Sequence, residues 1–354
     1  MAMNPLQVAG SRCCQNCAFL DHDRKRDTEM IAVTGAAGFI GSNLAHRLAG
    51  MGHDLILVDH PLTHDRAVNL LGSNQFRFMS HDRFLEHLSR GASEIEAMFH
   101  LGACSSTTES NWDFLKSNNI EYTWKLWSWC AKFECPFYYA SSASTYGDGS
   151  SGFDDRLHPS RLRPLNLYGK SKNDFDHLAI DETGAGHKSP PKWAGLKFFN
   201  VYGPRESHKK SMASVVWKAR KQILETGVVK LFESDVEGVA DGCQSRDFVH
   251  VEDCIDHMLW LSAHPHSNGL YNSGTGRARP FRDLALAVFS AMGREPKIEF
   301  IEMPPEVKSH YQNFTQADMS RLFEQGFAGE PTSLEEGVRR SLDAQIRIES
   351  AFEN

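Results

Sequence analysis

The chain has 354 residues, of which 41% are hydrophobic and 23% charged, and a formal net charge of −7. That is the make-up of a globular protein of one large or two small domains, long enough to bury a core. It excludes a global electrostatic pull toward nucleic acid or anionic lipid, and no apolar run reaches the roughly 18 residues that span a bilayer.

Residues 1–29 precede the first strand signal and read as an N-terminal extension outside the fold. They hold Cys13, Cys14 and Cys17 and a charged run, Asp21–Asp27. Cys14-x-x-Cys17 hints at zinc, but structural zinc takes four ligands and no second pair follows nearby. No metal site is expected. A disordered tail, or a natural beginning at Met30, is the expectation, so deletion of 1–29 should leave activity intact. The eight cysteines are too few for a disulfide framework in a chain this long. Reduced thiols, no secretory leader and a cytoplasmic setting are expected.

Met30–Asn43 is the organising stretch. Ile31–Val33 is a short apolar run that reads as a buried strand. Gly35, Gly38 and Gly41 follow at a spacing of three, and Ser42–Leu48 has a helical pattern. Strand, glycine turn and helix together make a dinucleotide site: the bare backbone approaches a pyrophosphate, and the helix N-terminus offers it free N–H groups. Asp54–Asp59 is the second strand. Asp59 lies 18 residues after Gly41, where a carboxylate accepts from the adenosine ribose. Alone it favours NAD. Arg66, with His60 and His64 nearby, can instead neutralise a 2′-phosphate; a solvated surface charge is the competing reading for Arg66.

Ala97–Gly102 reads as another buried strand, continued by Ala103-Cys104-Ser105-Ser106-Thr107-Thr108. Small and hydroxylated residues at a parallel strand's carboxyl end suit close approach of a nicotinamide ribose and a sugar. Asn111–Phe133 reads as a helix whose tryptophans serve packing or a subunit contact. Phe137–Ala140 is the next strand, closed by Ser141 and Ser142. Tyr168 and Lys172 then stand four apart at the start of a helix, on one face. A nearby ammonium should lower the phenol from about 10 toward working pH, so that Tyr168 can take a proton from an alcohol while hydride leaves the carbon, with Ser142 holding the same oxygen. The fold expected is α/β, a Rossmann-type doubly wound parallel sheet with a smaller α/β C-terminal lobe and ligands in the cleft between them.

These residues resemble an extended short-chain dehydrogenase/reductase acting on a nucleotide sugar. Phe99-His100 with Gly102–Glu109, Phe199–Lys209, Ser211–Ser214 and Tyr311–Asp318 are similar to the ADP-glyceromanno-heptose 6-epimerase family, and the likeness runs from Met30 to about Val338. It implies tightly held NADP(H), hydride removal from C6 of a heptose, and its return to the other face. It implies a second acid/base in the Glu-x-His-Lys block, here Lys209; a lysine that only holds phosphate is the competing reading, and Lys210 stands beside it. Residue by residue, it implies cofactor contacts at Phe39, Ile40, Asp59, His60, Arg66, His81 (usually a lysine), Leu101, Gly102, Ala103, Cys104, Ser105, Asn118, Lys172 and Val201. Substrate contacts are implied at Ser106, Asn200, Ser211, Lys218, Phe232, Glu233, Ser234, Asp235, Arg246 and Tyr311. Arg246 suits a diphosphate; a salt bridge to Asp247 competes.

Two departures stand out: two extra residues between Ser142 and Tyr168, and an insertion at Asp235–Cys243. The expected division is a Rossmann domain at 30–198 rejoined by about 247–275, with a substrate lobe at 199–246 and 276–354. Arg246–Asp253 should return to the main sheet, Leu270–Gly276 should brace its edge, and Arg339–Asn354 should form the terminal helix. A homo-oligomer, commonly a pentamer in the family, is implied. The rival readings are another nucleotide-sugar epimerase or dehydratase, though Ala143-Ser144 replaces the Asp-Glu pair of dehydratases, and a non-catalytic dinucleotide sensor.

Overall fold

The computed structural model describes residues 29–70, 76–264, 268–308 and 311–350. The stretch 1–28, with Cys13, Cys14 and Cys17, lies outside the described residues. Short apolar runs between turn residues become twelve strands: β1 (Met30–Thr34), β2 (Asp54–Val58), β3 (Phe76–Met79), β4 (Ile95–His100), β5 (Phe137–Ser142), β6 (Trp193–Phe198), β7 (Asn200–Tyr202), β8 (Val229–Phe232), β9 (Ser245–His250), β10 (Gly269–Ser273), β11 (Ala278–Pro280) and β12 (Ile298–Ile301).

Seven of them form one sheet in the order β10-β6-β5-β4-β1-β2-β3, all parallel. Parallel strands must be joined by crossovers, and the helices that make them cover both faces. Six of the seven are accordingly buried along nearly their whole length, and β3, Phe-Arg-Phe-Met at one edge, is the partly exposed exception. One face packs Trp127, Phe137, Phe175 and Trp193, with the Trp127 ring centroid 5.1 Å from Trp193 and 5.9 Å from Phe137. The other packs Val33, Leu57, Phe99, Val249 and Leu259. The chain winds outward from β1 to β3, then returns to place β4 on the opposite side of β1. At that reversal the carboxyl ends diverge and leave a crevice.

The tryptophan-rich segment is helical, as read, but not uniformly. Trp112–Leu115 and Tyr122–Phe133 are α-helical, and Lys116–Glu121 between them is a π turn. The terminal helix is Leu334–Ser350, starting five residues before the expected Arg339; the expected end at Asn354 lies outside the described residues. β10 is the sheet edge, as expected. One expectation fails. Arg246–Asp253 does not return to the main sheet: β9 sits in a separate three-stranded sheet, antiparallel to β11 and parallel to β7. What does return is the helix Val251–Ala263, whose Val251, Cys254, Ile255 and Met258 join the core of the large sheet. β8 and β12 make a parallel pair over a third core that includes Val216, Leu231, Val288 and Leu342.

Candidate active site

The glycine turn leaves β1 at Gly35, which has φ +67; a Cβ there would sit 2.6 Å from the Gly102 nitrogen. A Cβ on Gly41 would lie 2.1 Å from the Gly35 carbonyl oxygen. The turn is therefore pressed against both the β4 turn and its own helix, and no side chain fits at either place. Phe39 and Ile40 open the helix Phe39–Gly50, whose first turn has no acidic residue and whose Gly38 cap has no side chain. Its leading N–H groups are open to an anion, with no side-chain cap or first-turn carboxylate to compete.

Asp59 stands just past β2, buried, accepting from Ala37 N (2.9 Å) and His60 N (2.7 Å). Arg66 reaches back to it at 3.0 Å, so the cation lies beside the glycine turn rather than loose in solvent. Arg66 Nε and His81 Nε2 are buried without a hydrogen-bond partner among the described residues, and the His81 ring is 4.3 Å from His60. A bare glycine cradle, an uncapped helix end and two unsatisfied side-chain nitrogens fit a dinucleotide that brings anionic and hydrogen-bonding groups to both.

β1, β4 and β5 end at the same edge, with Thr34 opposite His100 and His100 opposite Tyr139. The Leu101–Ser105 turn follows β4, and Ser106 Oγ lies 3.0 Å from Thr108 Oγ1. Asn118 turns its amide to its own helix, donating to the Phe114 carbonyl at 2.9 Å. Its neighbour Asn119 holds the turn: its Oδ1 accepts from Cys104 N (2.8 Å), and its Nδ2 donates to Cys104 O (3.0 Å) and Ser171 Oγ (2.9 Å). Sequence reading missed Asn119; the π turn that aims it carries no sequence mark. It missed His100 as well, which bridges Thr34 Oγ1 (2.6 Å) and Thr123 Oγ1 (2.9 Å) behind the same turn.

Tyr168 and Lys172 occupy the helix Leu167–Gly184, started by Asn166, whose side chain accepts from Gly169 N. The Tyr168 phenol lies within the influence of the Ser142 side chain and of Cys104. The sequence therefore brings tyrosine, serine and glycine cradle to one crevice. The expected lowering of the phenol is not found. Burial raises its pKa, and the nearby Ser142 only opposes that rise. Lys172 Nζ donates to the Ala140 carbonyl at 2.8 Å; burial draws its own pKa down to about 8, against the pull of Asp176.

Beneath them lies a fully buried ion pair, Lys197–Asp176, at 2.6 Å. Asp176 also accepts from Tyr139 Oη (2.9 Å) and Ser141 Oγ (2.7 Å), and Lys197 donates to Thr145 Oγ1 (2.8 Å). Both charges thus have further hydrogen-bond partners, which is what a buried pair needs to persist.

Lys209 and Lys210 separate cleanly. They sit in the 3-10 segment Ser207–Met212, where Lys210 has φ 49 and ψ −114. Lys210 is exposed. Lys209 is half-buried, with Nζ 5.5 Å from the centroid of the Phe39 ring, over the glycine turn. Burial lowers its pKa, Glu206 opposes, and Lys218 reinforces. Glu206 is itself anchored by Ser214 N and Oγ, both at 2.6 Å.

A second group gathers farther along. Arg246 on β9 is buried, its guanidinium carbon 4.9 Å from the Tyr311 ring and 5.5 Å from Phe281. It donates to the Ser245 carbonyl at 3.1 Å. Asp247 does not pair with it: that carboxylate accepts from Thr275 N and Oγ1, Gly276 N and Ala317 N. Among the described residues Arg246 has no carboxylate partner, and burial draws its pKa down to about 10. Phe232 lies 6.1 Å from Tyr311. The Asp235–Cys243 insertion folds into a turn in which Ser234 N donates to Asp241 (2.8 Å), and Asp235 pairs with Lys308 at 3.4 Å. Gln312 Nε2 donates to the Gly147 carbonyl, tying the Tyr311 segment to the turn after Ser142. Asn200 and Val201 sit on β7, Asn200 accepting weakly from Thr315 Oγ1 (3.4 Å). Glu233 and Ser211 are exposed.

Residues 31–274 match the NAD dependent epimerase/dehydratase family. The chain is 45% identical over 327 residues to ADP-L-glycero-D-manno-heptose-6-epimerase of Nitratidesulfovibrio vulgaris strain DP4, covering 91% of this chain and 100% of that one. It is 46% identical over 321 residues to the protein of the same name from Alkalilimnicola ehrlichii, covering 89% and 97%. Among solved structures it is similar to the Helicobacter pylori ADP-L-glycero-D-manno-heptose-6-epimerase, with a TM-score of 0.76, 26% identity, and 92% and 98% of the two chains covered. It is also similar to the Thermus thermophilus UDP-glucose 4-epimerase in complex with NAD, with a TM-score of 0.71, 25% identity, and 90% and 99% covered. Among the described residues no helix is long and apolar enough to cross a membrane. The chain therefore belongs to the NAD dependent epimerase/dehydratase family, among its ADP-L-glycero-D-manno-heptose-6-epimerases, and is an isomerase that works with a nicotinamide dinucleotide.

Proposed function

We propose that the chain inverts C6 of the heptose in ADP-D-glycero-D-manno-heptose, giving the L-glycero epimer, a precursor of lipopolysaccharide inner core, with NADP held tightly through both half-reactions. The observation that carries this reading is the placement of Tyr168 near enough to Ser142, at the carboxyl edge, for that serine to act on the phenol, with Lys209 approaching the glycine turn from a different segment.

When bound, the nicotinamide supplies a hydride acceptor and then a hydride donor, so no second substrate is consumed. Tyr168 takes the O6 proton as C6 becomes a ketone, and Ser142 holds that oxygen. Lys172, whose Nζ is fixed by the Ala140 carbonyl, carries its charge one helical turn from Tyr168 and has to offset the burial that raises the phenol for the proton to move. The keto end then presents its other face, by rotation about C5–C6. Lys209 protonates the oxygen there, and its burial-lowered pKa suits a group that must give up a proton. The substrate loses and regains one proton and one hydride; Tyr168 ends protonated and Lys209 deprotonated, and each exchanges its proton with solvent before the next turnover.

In this reading Gly35–Gly41, Asp59, His60, Arg66, His81 and the Leu101–Ser105 turn hold the dinucleotide within 30–198. Arg66 meets a 2′-phosphate, which makes the cofactor NADP rather than NAD. Arg246 clamps the diphosphate, with Tyr311 and Phe232 as apolar walls, in a lobe built from 199–246 and 276–354. The enzyme works in the cytoplasm as a homo-oligomer, a pentamer by family resemblance, which light scattering on purified protein would test.

The test of the reaction uses purified protein and ADP-D-glycero-D-manno-heptose with no added cofactor, followed by NMR at C6. Inversion is expected; retained configuration rejects the reading. Dinucleotide released on denaturation should carry a 2′-phosphate, and its absence would assign NAD.

A further inference from the structure

Away from the crevice, three side chains converge that the reaction does not use. His177 and Asp181 stand four apart on the helix Leu167–Gly184, so they share a face. His158 comes from the turn before Pro159–Arg161. His177 Nε2 is 3.1 Å from Asp181 Oδ2, and His158 Nε2 is 3.3 Å from Asp181 Oδ1. One ligand atom from each of the three lies within 4.8 Å of the others. The imidazole planes are at 88°, with centroids 5.1 Å apart, so the rings point their nitrogens at the shared carboxylate without stacking.

We propose that His158, His177 and Asp181 form a surface site for a first-row divalent transition ion, Zn²⁺ foremost. Zinc bonds to histidine nitrogen and carboxylate oxygen are both about 2.0–2.2 Å. Tetrahedral ligands at that radius are about 3.3 Å apart, which is close to the spacing already present between each imidazole nitrogen and the carboxylate. The two histidines meet different oxygens of the carboxylate, so side-chain rotation would bring both nitrogens and one oxygen around an ion. A supporting partner is also in place. His158 Nδ1 lies 2.8 Å from Ser160 Oγ and accepts from the Ser160 N–H at 3.3 Å. Metal binding at Nε2 takes the other tautomer, in which Nδ1–H donates to Ser160 Oγ and Nε2 has its lone pair free, the arrangement that orients metal-bound histidines elsewhere. The Ser160 N–H contact is the one lost in that change of tautomer.

The donor set decides which ion. Two imidazoles and one carboxylate suit Zn²⁺, Ni²⁺ or Cu²⁺, whereas Ca²⁺ and Mg²⁺ ask for oxygen ligands. Three protein ligands leave a fourth position to water. The ion would clip the Pro159–Arg161 turn to the helix that carries Tyr168 and Lys172, adding to the hydrogen bond from Asn173 Nδ2 to the Pro159 carbonyl at 3.0 Å. Tyr168 and His177 are separated by roughly 13 Å along the helix axis, so the clip stiffens the helix without entering the chemistry.

The test uses untagged full-length protein stripped with chelator and titrated with Co²⁺ as a visible probe, then with Zn²⁺ by calorimetry. The expected result is a visible d–d band without the near-ultraviolet charge-transfer band of thiolates, which separates this site from Cys13, Cys14 and Cys17. His177→Gln and His158→Gln, both at surface positions, should each weaken binding at least tenfold, as loss of even an outer partner commonly does. Zn²⁺ should raise the melting temperature of the parent protein and not of the variants, and Mg²⁺ should do neither. Turnover should stay within about twofold in the variants, because neither histidine reaches the crevice. A thiolate band alone, equal affinity in parent and variants, or no band at millimolar Co²⁺ would each overturn the proposal.

Discussion

The two ends of the cleft solve opposite problems with buried charge. Under Tyr168, Asp176 and Lys197 neutralise each other within the protein. At the far end, Arg246 is buried between Tyr311 and Phe281 with no carboxylate among the described residues to meet it. A cation held that way costs stability until an anion arrives. The closed end fixes geometry that must not change during turnover. The open end keeps its charge for something that comes and goes. In the proposed reading, chemistry resides at the closed end and substrate binding at the open one.

The largest effect should come from the closed end. Tyr168→Phe removes the proton acceptor and leaves the packing, so kcat should fall by about 10²–10⁴ with little change in KM. Lys209→Met should nearly abolish epimerisation through kcat; if KM rises and kcat holds, Lys209 is only an anion binder. Arg246→Met at the open end should do the reverse, raising KM by about tenfold to 150-fold, the loss of a charged hydrogen-bond set worth roughly 1.5–3 kcal/mol. A matching fall in kcat instead would erase the distinction between the ends. Arg66→Ala should weaken NADP about tenfold and NAD less, read by dinucleotide titration.

The smallest effect is a shift in pH dependence. Asp176 raises the Lys172 pKa against burial, which holds it at about 8. Asp176→Asn removes that support, so the ammonium is lost at lower pH and the alkaline limb of kcat/KM moves down. In the parent protein the sign for stability is set by a folded pKa below the unfolded one of about 10.4. The cost of burying the Lys172 ammonium is fully present below about pH 8 and fades as pH rises toward about 10.4. Asp176→Asn and Lys197→Met each leave the other charge of the buried pair uncompensated, so both should also unfold the protein at lower denaturant.

The crevice was legible because its parts announce themselves locally. Glycines three apart after a β-branched run, and a tyrosine and lysine one helical turn apart, are patterns that short-range sterics impose. The Arg246 site was legible only by resemblance, since nothing in Arg246-Asp247 says which neighbour the guanidinium chooses; Thr275, Gly276 and Ala317 take the carboxylate from segments 28 to 70 residues away. The placement of β9 in a small sheet was misread for a related reason. Phe248-Val249 is a short apolar run like those of the main sheet, and only the tertiary pairing with β7 and β11 decides which sheet receives it. The raised phenol of Tyr168 was missed because spacing reports a neighbouring ammonium and not the depth at which both are buried.

The π turn at Lys116–Glu121 has a consequence for how this helix can drift over time. An extra residue in one turn offsets the two halves by about 100°. Trp127 and Trp129 keep their seats in the core, while Asn119 faces Cys104 and the Trp112 ring lies 4.3 Å from Lys170 Nζ. The packing half and the ligand half of one helix are thus out of phase and can accept substitutions separately. Excision of a single residue there would lock the halves together and force one of them to turn away, most easily the short Trp112–Leu115 half, so insertions and deletions at this turn are a lever on the reaction edge that no point change in the core supplies.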